Sequence, residues 1–325
     1  MKDLIMAVAA SCGVAAATAA GGVPVESPIE APGPDGPLKG TILTPDGGHG
    51  PVVLIIPGSG PTDRDGNSPL GVLAAPYRLL AEGLAAHGVT TVRIDKRGMF
   101  GSSAATAHAD EVSIPDYVAD VQAWTRVIRK RTKASCIWLL GHSEGGLIAM
   151  AAAKNPDVCG LLLVSAPGRP LGEILREQLK ANPANAPLLS QALPAIDALE
   201  AGKRVDTAAM NPALLPLFRP AVQGFLISVF SYDPAKLLAG YERPILILQG
   251  QRDLQVREAD AQALKLANPK ATLVLLPDVN HVLKSVATDD VRTNISTYGN
   301  SNLPLAPGVV QSISDFLDSS RSKPR

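Results

Sequence analysis

Cys136-Ile137-Trp138-Leu139-Leu140-Gly141-His142-Ser143-Glu144-Gly145-Gly146, continuing as Leu147-Ile148-Ala149-Met150-Ala151-Ala152-Ala153, is the stretch on which the reading of this chain turns. Four apolar residues run into Gly-x-Ser-x-Gly, and a helix-compatible run follows. The pattern predicts a strand ending in a sharp turn, with Ser143 at the apex and a helix behind it. Side chains at positions 141 and 145 would collide with adjoining backbone in such a turn, which explains glycine at both. The serine hydroxyl is then pushed out above the sheet, beside the positive end of a helix. Five letters alone are a weak signal, since a glycine-rich strand end with a solvated serine also matches them.

The flanking sequence repeats the same unit. Val52-Val53-Leu54-Ile55-Ile56, Gly160 to Ser165, Ile245 to Leu248 and Thr272 to Leu276 are short apolar runs of the kind buried on both faces of a parallel sheet. Val89 to Ile94 is a further strand. Leu38 to Leu43 alternates as an antiparallel strand does. Helical patterns separate the strands: Tyr77 to His87, Asp116 to Arg131 (Tyr117, Val121, Trp124 and Ile128 on one face) and Glu258 to Ala267, with another ending the chain around Val309 to Leu317. Strand-helix alternation predicts an α/β fold, a doubly wound, mostly parallel sheet.

Residues 167–244 break the alternation. They carry ten prolines, no strand signal and three short helical patterns, Leu171 to Lys180, Leu188 to Ala201 and Ala221 to Phe230. This is too long for a loop, and it is expected to be an all-helical cap inserted into a core made of 21–166 and 245–325. Residues 21–37, rich in Gly, Pro and Glu, are expected to run as an extended linker into an edge strand.

With 46% hydrophobic residues a sizeable core is available, and Lys plus Arg balance Asp plus Glu at 30 each. That balance gives no basic excess for a nucleic-acid partner. Residues 1–20 read as a cleavable signal peptide: Lys2, an apolar run from Leu4 to Val14, then small residues around Ala17-Thr18-Ala19. The run is too short for a stable membrane span. Export to the periplasm or the medium is the expectation, with lipid modification at Cys12 a minor alternative. Cys136 and Cys159 both begin six residues below the top of a predicted strand. A disulfide fits if those strands are neighbours in an oxidising compartment; two reduced core thiols fit as well.

A serine hydroxyl becomes a good nucleophile when a base takes its proton and a carboxylate fixes that base's tautomer. Five histidines compete. His49 lies in an early turn, His87 at a helix end and His108 in a Ser/Ala-rich loop, while His142 directly precedes the serine and should point away from it. His281, on the loop after the Thr272 to Leu276 strand, is the candidate base. In the chain order serine, acid, histidine, Asp253 is the candidate acid because it follows a buried strand directly. Asp278 stands too close to His281, and Glu258 opens a helix. For a developing oxyanion, the candidate donors are the backbone N–H groups of Glu144 and of Ser59, in the glycine-containing loop after Ile56. No Gly-Lys-Ser/Thr follows that loop, which argues against a phosphate cradle. Asp63, Arg64 and Asp65 read best as a local ion-pair and turn network.

Taken together, Gly58-Ser59-Gly60-Pro61-Thr62-Asp63-Arg64-Asp65-Gly66-Asn67, Asp95-Lys96-Arg97-Gly98, Gly141-His142-Ser143-Glu144-Gly145-Gly146 and the Asp253 and His281 loops resemble the α/β-hydrolase superfamily. Within it they resemble bacterial carboxylesterases with a helical cap, esterase D-like, over about Leu38 to Leu317. The resemblance implies hydrolysis of short-chain esters of small molecules, without cofactor or metal. It departs from many lipases and esterases in lacking a His-Gly-Gly oxyanion loop, so Ser59 is assigned by position. A serine peptidase or acyl-peptide hydrolase on the same fold is the main rival, and a non-catalytic binding protein a lesser one. Dehalogenase chemistry is disfavoured by serine, rather than aspartate, at the apex.

Overall fold

A computed structural model describes residues 23–48 and 50–321. The expected signal peptide, Cys12 and His49 lie outside the described residues. Among the described residues eight strands form one sheet: β1 (Val25–Pro32), β2 (Pro37–Thr44), β3 (Val52–Ile56), β4 (Thr90–Ile94), β5 (Ile137–His142), β6 (Val158–Val164), β7 (Ile245–Gly250) and β8 (Thr272–Leu276). Their spatial order is β1-β2-β4-β3-β5-β6-β7-β8. The two pairings made by β2 are antiparallel and all the others parallel.

The continuous apolar runs follow from burial on both faces. Alternate residues point to opposite sides, so Leu54, Ile56, Leu139, Leu161, Leu163 and Ile247 enter one core with α2 (Ile114–Thr132), α3 (Glu144–Ala152) and α9 (Glu258–Ala267). Val53, Ile55, Leu140, Leu162, Val164 and Leu248 enter the other, under α1 (Pro76–Ala85) and α11 (Val309–Arg321).

Between β6 and β7 the regular structure is all helical, joined by irregular stretches and two short 3-10 helices: α4 (Leu171–Ala181), α5 (Leu189–Glu200), α6 (Leu215–Phe218), α7 (Pro220–Phe230) and α8 (Pro234–Leu238). Prolines stand in the first turn of the last three, where their missing N–H removes no helix bond. Arg169 ties this segment to the sheet layer by donating to the buried Asp260 of α9. A short helix α10 (Val291–Ser296) follows β8. Among the described residues no single helix is long and apolar enough to cross a membrane.

One expectation is corrected. Residues 21–37 are not simply a linker, because Val25–Pro32 pairs with β2 along its whole length. Ile29 and Ala31 are buried while their neighbours face solvent, an alternation hidden in the sequence by Pro28 and Pro32. Proline is tolerated there because β1 is an edge strand. Cys136 and Cys159 are joined in a disulfide with Cα atoms 5.1 Å apart. The β5–β6 register jumps at this point, from Ile137 opposite Val158 to Trp138 opposite Gly160. Cys159 therefore stands outside the regular ladder, facing a cysteine that lies just before its own strand.

Candidate active site

Ser143 occupies the turn between β5 and α3 with φ 55° and ψ −127°, a conformation an L-residue holds only when its surroundings impose it. Its N–H donates to the Val164 carbonyl and its carbonyl accepts from Gly146 N–H. A Cβ at 141 would stand 2.2 Å from the Gly145 carbonyl oxygen, and one at 145 would stand 2.2 Å from that of Ile56. Backbone blocks both positions, as the collision argument requires.

The loop after β7 carries Asp253 and the loop after β8 carries His281. Asp253 Oδ1 accepts the N–H groups of Gln255 at 2.8 Å and Val256 at 2.9 Å, which closes its own loop. Its Oδ2 lies 2.8 Å from His281 Nδ1. Both side chains are buried. A carboxylate can only accept, so His281 Nδ1 carries the proton that faces Asp253, and Nε2 is the nitrogen left to act as a base. Burial pushes the Asp253 carboxyl up, but the His281 charge and hydrogen bond, with the two amide donors, outweigh it and leave the pKa lowered. Asn280 sets the second loop: its Nδ2 donates to Asn294 Oδ1 and Thr297 Oγ1, and its Oδ1 accepts the Lys284 N–H.

His142 joins these parts. Its Nε2 lies 2.8 Å from the His281 carbonyl oxygen and its Nδ1 2.9 Å from the Tyr77 hydroxyl. A carbonyl only accepts, so Nε2 carries the proton and Tyr77 donates to Nδ1. Tyr77 in turn accepts the Gly58 N–H at 3.1 Å. Burial first, then the neighbouring His281 charge, depress His142 to a pKa of about 3, which keeps the ring neutral. The two imidazole centroids stand 4.7 Å apart. His281 is thus anchored beside the residue that precedes Ser143, at the same edge of the sheet.

The loop after β3 is braced from below. Arg64 donates to Asp95 from both backbone and guanidinium, the buried Arg93 bonds Asp65, and Asp63 caps the turn through the N–H groups of Asp65 and Asn67. Those charges form the structural network read from the sequence. Lys96, buried, donates to the Gly58 carbonyl at 2.6 Å and lies 3.4 Å from Glu144 Oε1. Sequence reasoning misses Tyr77 and Lys96 as site residues: Tyr77 reads only as the start of a helix, and Lys96 enters only within the Asp95-Lys96-Arg97-Gly98 stretch, with no role of its own.

Ser59, Ser143 and Glu144 open on a cavity of about 160 Å³, walled by Leu147, Leu171, Ile174, Val229 and Tyr232 among others. A larger cavity, about 710 Å³, lies among Trp138, Cys159, Arg243 and Phe316 at the opposite edge and holds none of these residues. The remaining candidates are apart from the site. His87 and His108 are exposed, Asp278 lies on the surface near Arg252, and Glu258 accepts from Gln251 and Gln262. Among the described residues no group of three or more His, Cys, Asp or Glu side chains could hold a metal ion.

A doubly wound, mostly parallel sheet with a strained serine turn at the carboxyl end of a central strand defines an α/β-hydrolase fold. The model of the alpha/beta hydrolase family matches residues 52–291, and the chain belongs to that family. It is 28% identical over 252 residues to esterase EstD of Thermotoga maritima, covering 76% of this chain and 58% of that protein. It is 26% identical over 206 residues to lipase 1 of Psychrobacter immobilis, 56% of this chain and 62% of the lipase. The chain thus spans about three-fifths of the length of these curated relatives. Among solved structures, the fold is shared with the esterase Est1E of Butyrivibrio proteoclasticus (TM-score 0.56, 17% identity, 91% of this chain and 99% of that one). It is shared equally with the hydrolase GrgF of a Penicillium species (TM-score 0.58, 18% identity, 92% and 100%).

Proposed function

We propose that this hydrolase cleaves carboxylic esters of small molecules through an acyl-enzyme on Ser143. The observation that carries the reading is the His281–Asp253 bond, made by an imidazole whose own carbonyl is tied to the residue before Ser143. Ser143 Oγ attacks the ester carbonyl while His281 Nε2 takes its proton. Asp253, held ionised, keeps His281 in the tautomer that can do so and stabilises the imidazolium. Negative charge on the carbonyl oxygen is met by the N–H groups of Ser59 and Glu144, the latter at the positive end of α3. His281 then protonates the leaving alkoxide. A water activated by the same imidazole releases the acid and restores Ser143.

The helical segment 167–244 acts as a cap, since Leu171, Ile174, Val229 and Tyr232 wall the cavity. That cavity is well below the roughly 300–1,000 Å³ of drug-sized ligand sites, which favours short acyl chains. Similarity to an esterase and a lipase supports ester substrates. The Cys136–Cys159 bridge supports export, because disulfides persist in oxidising compartments. Ser143→Ala is expected to lower p-nitrophenyl acetate turnover by about 10⁴- to 10⁶-fold and to abolish fluorophosphonate labelling, with an unchanged melting curve. Retained turnover in that variant refutes the assignment, and a wild-type preference for peptide over ester substrates redirects it to a peptidase.

A further inference from the structure

The carbonyl of Gly58 and the N–H of Ser59 belong to one peptide group. That links Lys96 to the chemistry. Its ammonium donates to the Gly58 oxygen at 2.6 Å, and in a trans peptide the N–H points opposite to the C=O. A fixed carbonyl therefore fixes the direction of the Ser59 donor. A charged donor on the oxygen also polarises the amide, which strengthens the N–H at the other end of the same group. The Gly58 N–H, in the neighbouring Pro57–Gly58 peptide group, is separately held by Tyr77, so the chain is also fixed on the other side of the Gly58 Cα.

Lys96 is positioned to do this and little else. Its side chain is 3% exposed, its nitrogen lies 5.3 Å from the centre of the Tyr117 ring, and its counter-charge is Glu144 at 3.4 Å. Glu144 supplies the other proposed donor from its own backbone. One buried cation thus touches the carbonyl of the peptide group that carries the Ser59 N–H and the side chain of Glu144, whose own N–H is the other proposed donor. A lysine serving only as a neutralising charge would not require its shortest bond to fall on the carbonyl of the donor peptide.

We propose that Lys96 is a positioning residue that aims and polarises the Ser59 N–H for the oxyanion. This rests on the ester-hydrolase reading above. Lys96→Met keeps the stem and removes the charge; Lys96→Met combined with Glu144→Gln avoids leaving a buried carboxylate unpaired. In whichever folds, confirmed by its melting curve, kcat for p-nitrophenyl acetate should fall about 10- to 100-fold, below the ~10²–10³ that follows loss of an oxyanion donor outright. KM should stay within about threefold, because the donor acts on charge present only in the transition state. Affinity for a trifluoromethyl ketone, which forms an oxyanion on Ser143, should fall by the same factor as kcat/KM.

A folded variant with unchanged kcat, or one in which only KM rises, overturns the role. So does failure of both variants to fold, which would assign Lys96 to the fold alone. Wild-type protein that neither turns over the ester nor reacts with a fluorophosphonate would instead sink the underlying reading, so the two failures are distinguishable.

Discussion

The two oxygens of Asp253 divide their work: one closes its loop through Gln255 and Val256, the other faces His281. Asparagine could keep the first set but would present an N–H to Nδ1, forcing the proton onto Nε2. Asp253→Asn should therefore lose about 10⁴ in kcat at neutral pH with only a small fall in melting temperature. A variant that loses stability while keeping more than a tenth of its turnover would make Asp253 a loop anchor and nothing more. His142 gives a pH prediction of separate origin. Its folded pKa is depressed, so the unfolded chain binds the extra proton between pH 3 and 6.5 and stability falls on acidification through that window. The slope should reach about 1.4 kcal/mol per pH unit from this group. Asp253 is also depressed, from 3.8, so its contribution is present above that value and is lost only at lower pH. Urea unfolding of wild type and His142→Gln at pH 4.5, 5.5 and 6.5 separates the two, since only wild type should show the steep slope there.

At the level of elements, the strand-turn-helix unit of β5 and α3 works because it packs backbone against backbone. A Cβ on Gly145 would meet the carbonyl oxygens of Ile56 at 2.2 Å and Pro57 at 2.7 Å, neither of which is a flexible side-chain end. Gly145→Ala is expected to destabilise by about 1–3 kcal/mol or more and to lower turnover through the displaced loop after β3. Calorimetry and a turnover assay check it, and a variant wild-type in both would remove the steric argument. These elements were also the most legible in the sequence. Uniform apolar runs marked β3, β5, β6, β7 and β8; the first four are covered on both faces and need no alternation, whereas β8 is a half-exposed edge strand and not the fully buried one its sequence leads one to expect. Ser143, Asp253 and His281 could be singled out because each follows such a run. Tyr77 and Lys96 could not: they reach Gly58 across 19 and 38 residues, and local spacing carries no trace of a contact made only when the sheet assembles. β1 was hidden for the opposite reason, since its prolines imitate a loop while edge pairing tolerates them.

Across the whole molecule, the sheet separates the candidate active site from a covalent reinforcement. Ser143, Asp253 and His281 gather at the carboxyl ends of the strands, whereas the Cys136–Cys159 bridge ties β5 to β6 at their amino ends. The length of β5 alone, at ~3.3 Å per residue, sets them roughly 20 Å apart. The bridge closes a loop with a sequence separation of 23, and that loop contains the whole serine turn and α3. Restricting it in the unfolded chain should contribute about 3 kcal/mol, or several degrees in melting temperature for a chain of this size. Reduction by dithiothreitol, or the pair Cys136→Ser and Cys159→Ser, should therefore lower the melting temperature by about 5 °C while leaving kcat and KM at 25 °C within about twofold. β5 is meanwhile held by its ladders to β3 and β6, which supply the register that Ser143 depends on without help from the sulfurs. A reduced protein that keeps its melting temperature would contradict the loop-entropy argument. One that loses turnover while still folded at 25 °C would show that the ladder alone does not hold β5 in register and that the bridge reaches the serine through the strand.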